Sequence, residues 1–323
     1  MKKSILISFL VGASLATGWG QPNVDASWNL ATNAAPFPSR FDPATVVFKN
    51  KLWVIGGRPY SGPDIKDIWS SSNGNNWERV TDAAACLPRL GQAALVFKDK
   101  LWIIAGATPK GSAVFYSRSD VWSTSDGIVW EKTTDSAAFP ARVWHAAAVF
   151  DGKMWVFGGT DTRKVAKDHG DAWYSEDGVT WTLANASAFS PRAFLKSVVF
   201  QNKLWILGGN SHGTVLKDII SSSNGITWAT LQGVTGFNPT DHFFLAASFN
   251  DQVWIQDQTR ISNSSDMLKW NTVTGAGPYG RLGLLEMSSK LWSIGAFTKG
   301  TTTHPVYSFN FPGPVQPKAT SRK

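Results

Sequence analysis

Three residue types in this chain are placed to do chemistry. Arg40, Arg89, Arg142 and Arg192 each lie eight residues before a Phe (Phe48, Phe97, Phe150, Phe200). A guanidinium is a planar fork that pairs bidentately with a carboxylate or sulfate, so four at one repeated position form a candidate anion cradle. Arg281 is offset from that position, and Asp241 stands where a fifth Arg would be, so the ring is broken. The alternative is that each Arg bonds backbone carbonyls between neighbouring units. Trp144 and His145 follow Arg142 directly. An exposed Trp can stack on a sugar ring, and a covered one plugs a seam. The five histidines (His145, His169, His212, His242, His304) come from separate segments without the short spacing of a metal pair. They are candidate bases, or ordinary structural histidines. The expected ligand-contacting set is Arg142, Trp144, His145, Arg89, Arg192 and Arg40, with no metal, no cofactor and catalytic residues unknown.

What must position these residues is a repeat of about 50 residues. Asp67-Ile-Trp-Ser-Ser-Ser-Asn-Gly-Asn-Asn-Trp77 returns as Asp120–Trp130, Asp171–Trp181 and Asp218–Trp228. Between copies lie a Pro-containing loop, a small apolar strand (Ala44–Phe48, Ala93–Phe97, Ala146–Phe150, Ser197–Phe200, Leu245–Phe249) and a Trp-bearing strand such as 51–57. Small residues suit the crowded inner edge of a propeller blade. Paired glycines (Gly56-Gly57, Gly158-Gly159, Gly208-Gly209) close the second strand. Asn73-Gly74, Asp126-Gly127, Asp177-Gly178 and Asn224-Gly225 predict tight type I′ hairpins into the fourth. Of 17 Trp, 15 sit at repeated strand positions and Trp19 lies near the N-terminus, which leaves Trp144 unaccounted for by the repeat.

Five repeats are complete. The sixth runs from Arg281 through Trp292 to Asn310 and lacks its fourth strand, and Ser27–Ala31 is a matching orphan. The sequence therefore predicts an all-β, six-bladed propeller over residues 21–311, closed when the N-terminal strand completes the last blade. The longest connections (58–66, 107–119, 160–170, 210–217, 297–304) fall on one face, where binding residues are expected.

The remaining features bound the setting. Residues 1–20 join a basic start (Lys2, Lys3), an apolar stretch (Ile5–Ala16) and small residues at 16, 18 and 20, the pattern of a secretory signal. Secreted or periplasmic localisation is the expectation, with no transmembrane segment in the remainder. Residues 312–323 read as a disordered basic tail containing Pro. Cys86 is the single cysteine, so no intramolecular disulfide is available. Five positive charges (Lys2, Lys3, Lys318, Arg322, Lys323) lie at the ends, so the formal +8 falls to +3 over the body. That balance lacks the concentrated basic face of a nucleic-acid binder.

The double Gly after strand two and the aromatic pairs Trp69/Trp77, Trp122/Trp130 and Trp173/Trp181 resemble kelch-repeat propellers, the group that includes the central domain of galactose oxidase. The kelch pattern usually has Tyr where the first Trp of each pair stands here, and blades five and six have lost the double Gly. Ser175–Trp181 also resembles the Asp-box hairpin of sialidase propellers, one residue short. The resemblance implies a binding or interaction module that meets a carbohydrate or protein ligand on the long-loop face, and a monomer is expected. The alternative that it implies is an exported enzyme on acidic sugars, sialic acid mutarotase-like or sialidase-like. The copper chemistry of galactose oxidase is not implied, because no Tyr motif accompanies Cys86.

Overall fold

The computed structural model describes residues 28–59, 63–110, 114–163, 166–273, 280–296 and 304–309. The expected leader (1–20) and tail (312–323) lie outside the described residues. Six four-stranded antiparallel sheets stand as blades around an axis. Blade one is Ala44–Phe48, Lys51–Ile55, Ile68–Ser71 and Glu78–Thr81. The inner strands of successive blades contact one another in sequence, and that of blade six, Gly280–Met287, returns to Ala44–Phe48. Trp28–Thr32 pairs antiparallel with Val306–Phe309, so the N-terminal strand supplies the outer edge of blade six. The predicted closure is therefore the observed one.

The repeated Trp residues have two separate jobs. Each Trp of a second strand donates its indole N–H to the carbonyl five residues earlier, at the end of the inner strand. Trp53 donates to Phe48 at 2.8 Å, Trp155 to Phe150 at 3.0 Å and Trp292 to Met287 at 3.1 Å. The donor is thus satisfied inside an apolar seam, which lets a large ring be buried without an orphaned N–H. In blades one to four the Trp after the third strand donates to the Gly of its own hairpin, as Trp77 does to Gly74 at 3.0 Å, and in blade five Trp270 donates to Met267 at the same place.

Those hairpins differ from the type I′ turns expected. Only the glycines have positive φ (+71°, +82°, +78° and +74° at Gly74, Gly127, Gly178 and Gly225), and six residues, 72–77 in blade one, join the strands. Side chains hold the loop instead. Ser71 Oγ accepts from the Gly74 N–H at 2.8 Å, and Asn73 Oδ1 accepts from the amides of Asn75 and Asn76 at 3.0 and 2.8 Å. An Asn or Asp side chain that captures backbone N–H groups replaces the ladder bond of a two-residue turn.

The glycine has a second reason that the sequence did not reveal. A Cβ on Gly127 would meet the Trp53 ring of the preceding blade at 2.4 Å, and one on Gly178 the Trp102 ring at 2.2 Å. The hairpin backbone lies flat on its neighbour's indole. Gly127→Val is therefore expected to cost about 2–3 kcal/mol, combining a strained φ with an overpacked seam. A chemical-denaturation curve checks this, and a midpoint equal to that of the parent would refute the close approach.

Candidate functional site

The four repeated arginines are buried, and each is committed within its own blade. Arg142, 0 % exposed, binds both carboxylate oxygens of Asp171 at 2.8 and 2.9 Å. It also donates to the carbonyls of Gly158 at 2.8 Å and Pro140 at 3.0 Å. Arg40 with Asp67, Arg89 with Asp120 and Arg192 with Asp218 repeat the pairing. Each clamp ties the loop entering a blade to the ends of that blade's two middle strands. Burial works to raise the carboxyls of Asp120 and Asp171, but the guanidinium beside each holds it below the usual range. With its fork filled, each Arg is placed to hold the loop rather than to reach into the axis. Blade five carries the charges exchanged, with Asp241 at the Arg position and Arg260 at the Asp position. Arg260 turns to Asp257 at 3.5 Å.

What the clamped loops present is the mouth of the axis. Two residues after the Arg, Asp42, Gly91, Trp144 and Phe194 all adopt left-handed backbone, with φ of 46°, 58°, 55° and 58°. Such φ values are costly for Trp and Phe, about 1–3 kcal/mol each, and persist only where surroundings enforce them. The enforcement is a chain of backbone bonds around the axis. The Gly91 N–H donates to Asp42 O at 3.0 Å, Trp144 N–H to Gly91 O at 3.0 Å and Phe194 N–H to Trp144 O at 2.8 Å. Strained aromatic residues held this way are a reason to look for function.

Side chains at the mouth form an aromatic arc over three blades. Trp144 stacks on Phe194 with centroids 4.5 Å apart and planes at 22°. Phe194 meets His242 at 4.6 Å and Phe243 at 5.3 Å. The Trp144 indole N–H donates to Asp42 Oδ2 at 2.9 Å, linking blade three to blade one. Below the arc is a recess of ≈ 120 Å³ lined by Asp42, Trp144, Phe194, Lys196 and Phe243, with His145 in its wall. That volume equals roughly four liquid waters at about 30 Å³ each. It admits a substituent, while the body of a ligand would rest on the arc. Burial lowers the Lys196 ammonium below its usual range, and Asp42 and Asp241 pull the other way. The far end of the axis opens into a broader basin of ≈ 930 Å³ among the short turns.

Trp144 is thus both things its sequence position allowed: a half-buried bridge between blades and a wall of the recess. His145 shares the recess but is buried, and so is Arg142 beneath it. Arg40, Arg89 and Arg192 are not gathered around a common cavity. The residue missed from sequence is Lys196. Its signal was a Lys at an inner-strand position where blades one to three have Ala44, Ala93 and Ala146.

The other reactive groups are dispersed. Among the described residues no three His, Cys, Asp or Glu side chains gather as a metal site would require. Burial pushes the Cys86 thiol up to about 12, which leaves it a wall group at neutral pH. His212 is exposed beside Ser211. Burial, reinforced by the positive charge of Arg142, drives His145 down to about 3. Burial and Arg40 bring His304 to about 4. Both stay neutral in the fold where the unfolded chain takes up protons below about 6.5. Their contribution is therefore present above about pH 6.5 and lost as pH falls toward 4 for His304 and 3 for His145. At pH 5 each should have cost about 2 kcal/mol relative to pH 7.5. His145→Gln should remove its share, because Gln92 at the same position of blade two donates to Ile55 O at 2.9 Å. Denaturation curves at both pH values check this, and an unchanged pH dependence in the variant would show that His145 is not the group involved.

The KLHDC2/KLHL20/DRC7 Kelch-repeats domain model matches residues 44–256. In fold the chain is similar to the solved structure of YjhT, with TM-score 0.68 and 13% identity, over 86% of this chain and 96% of that one. Identity that low speaks for the fold alone. No curated protein matches the sequence.

Proposed function

The chain belongs to the kelch-repeat family, and from that premise we propose that it is a binding module that receives a carbohydrate at the mouth of its axis. The observation that carries this reading is the aromatic arc of Trp144, Phe194 and Phe243, the first two held in strained backbone, above a recess with Asp42 and Lys196. Aromatic faces take the apolar side of a sugar ring, and a few charged groups beside them fix its hydroxyls. Rigid blades with function on the loops are the usual division of labour in such a scaffold. The proposed setting is secreted or periplasmic, supported by the pattern of residues 1–20, and the proposed state is a monomer.

The test is a glycan array probed with the protein and with Phe243→Ala. Phe243 is 38% exposed, so its truncation should leave the unfolding free energy within about 1 kcal/mol of the parent while binding falls at least tenfold. Retention of full glycan binding by Phe243→Ala would remove the arc from the site. Binding to protein ligands only would replace carbohydrate with the protein-partner reading.

A second reading, an exported enzyme on acidic sugars, is favoured by one feature. Lys196, with its lowered ammonium pKa, lies near Asp42 and Asp241 and resembles an acid–base set. Mutarotation and sialidase assays on the purified protein, with Lys196→Met as the control, separate the two. Turnover lost in that variant would establish the enzyme.

A further inference from the structure

Away from the axis, a cleft of ≈ 500 Å³ opens between blades two and three. Its size lies within the range of about 300–1,000 Å³ common for small-molecule sites. It is lined by the loop 85–89, by the hairpin Ala107–Lys110/Val114–Ser117 and the segment 118–122 of blade two, and by Arg163, which follows the strand Thr160–Asp161 of blade three. Side chains lock the hairpin of blade two to that of blade three, Thr160–Asp161/Lys167–Asp168. Ser117 Oγ donates to Asp161 Oδ1 at 2.7 Å, and Thr162 Oγ1 donates to Phe115 O at 2.8 Å. Arg118 is fixed between them, since its N–H donates to Gly106 O at 2.8 Å and its carbonyl accepts from Arg142 N–H at 2.9 Å.

The charges in this cleft do not cancel. Asp120 is taken by Arg89 and by the Trp122 indole N–H, at 3.0 and 2.8 Å. Asp161 is taken by Arg163 at 2.7 Å, and Asp135 by Lys132 at 2.8 Å. The Arg118 side chain is exposed and makes no hydrogen bond or ion pair with a described residue. One exposed guanidinium therefore lines a partly apolar cleft, near enough to Asp120 to lower that carboxyl further, while Asp120 keeps its bidentate bonds for Arg89. Thr108, Ser119 and Tyr116, the last 37% exposed, add hydroxyls along the lining.

We infer that this cleft is a second binding site, for a small hydroxylated carboxylic acid whose carboxylate pairs with Arg118. A planar fork favours a carboxylate held by two parallel bonds, and the hydroxyl lining favours a polyhydroxylated body. The site stands apart from the axial mouth and does not depend on what that mouth binds.

The experiment titrates the ¹⁵N-labelled protein with D-glucuronate, with D-glucose and inorganic sulfate as controls. Glucuronate should shift the amides of Ser117–Asp120 and the Trp122 indole resonance, and glucose should not. Arg118→Gln should weaken glucuronate at least tenfold with an unchanged melting midpoint, and Arg118→Lys should weaken it less. Arg79→Gln, a surface change in blade one, and Phe243→Ala at the mouth should leave it unaltered. Shifts of equal size with glucose, undiminished affinity in Arg118→Gln, or sulfate binding as tightly as glucuronate would each overturn the assignment. The last outcome would leave a bare anion site.

Discussion

Deleting Trp28–Thr32 is expected to unfold much of this protein at ambient temperature. The strand is the outer edge of blade six, and Trp28, 5% exposed, packs on Phe309 with ring centroids 5.1 Å apart. Phe309 in turn meets Trp254 of blade five at 5.1 Å, so the loss spreads into the next seam. Truncating a buried Trp alone costs about 3–5 kcal/mol. Removing the ladder to Val306–Phe309 as well takes the total to about 5 kcal/mol or more, the whole stability of many domains. Circular dichroism with temperature gives the answer, with Trp28→Ala as a milder companion expected to fall between the two. A synthetic peptide of residues 28–32 should partly restore the truncated form. Equal midpoints for truncated and parent proteins would mean that the ring closes without this strand.

Asp171→Ala should cost about 3–5 kcal/mol, because it strands the Arg142 guanidinium at 0% exposure without its counter-charge. The partner change, Arg142→Met, removes the charge and leaves a chain of similar bulk. The double variant should then be more stable than Asp171→Ala alone, since a buried pair exchanged for apolar groups is often near neutral. A double-mutant cycle by urea denaturation measures the coupling. Single and double losses that simply add would mean that Arg142 and Asp171 act independently, against the bidentate geometry. Below the ordinary carboxylate range the clamp should also fail with falling pH. The depressed Asp120 and Asp171 contribute stability that is present above about pH 4 and lost as they protonate.

Much of the fold was legible because a repeat is a local code. Trp at fixed offsets, small residues on the inner strand and Gly after Asn or Asp recur often enough to expose the blade count, the strand order and the missing edge strand. The hairpins show where that code is ambiguous. Asn73-Gly74 fits a two-residue turn, and it equally fits a six-residue loop folded on Ser71 and Asn73 side chains. Only the neighbour's indole beneath Gly74 completes the reason for that glycine.

The candidate site was legible only in outline. Arg40, Arg89, Arg142 and Arg192 were visible as a repeated set, but their partners Asp67, Asp120, Asp171 and Asp218 lie 26 to 31 residues away, at or just before the third strand of the blade. Whether a guanidinium faces a ligand or a carboxylate depends on that pairing. The meeting of Trp144, Phe194, Phe243 and Lys196 comes from three blades and is set by curvature about the axis. By itself, then, the sequence determined the blades, since strand period and turn chemistry act over a few residues. Tertiary structure alone decided which side chains face the axis and which are spent inside a blade. Those choices rest on contacts between segments about 50 residues apart, such as the 2.8 Å bond from Phe194 N–H to Trp144 O, and such contacts leave no local pattern in the chain.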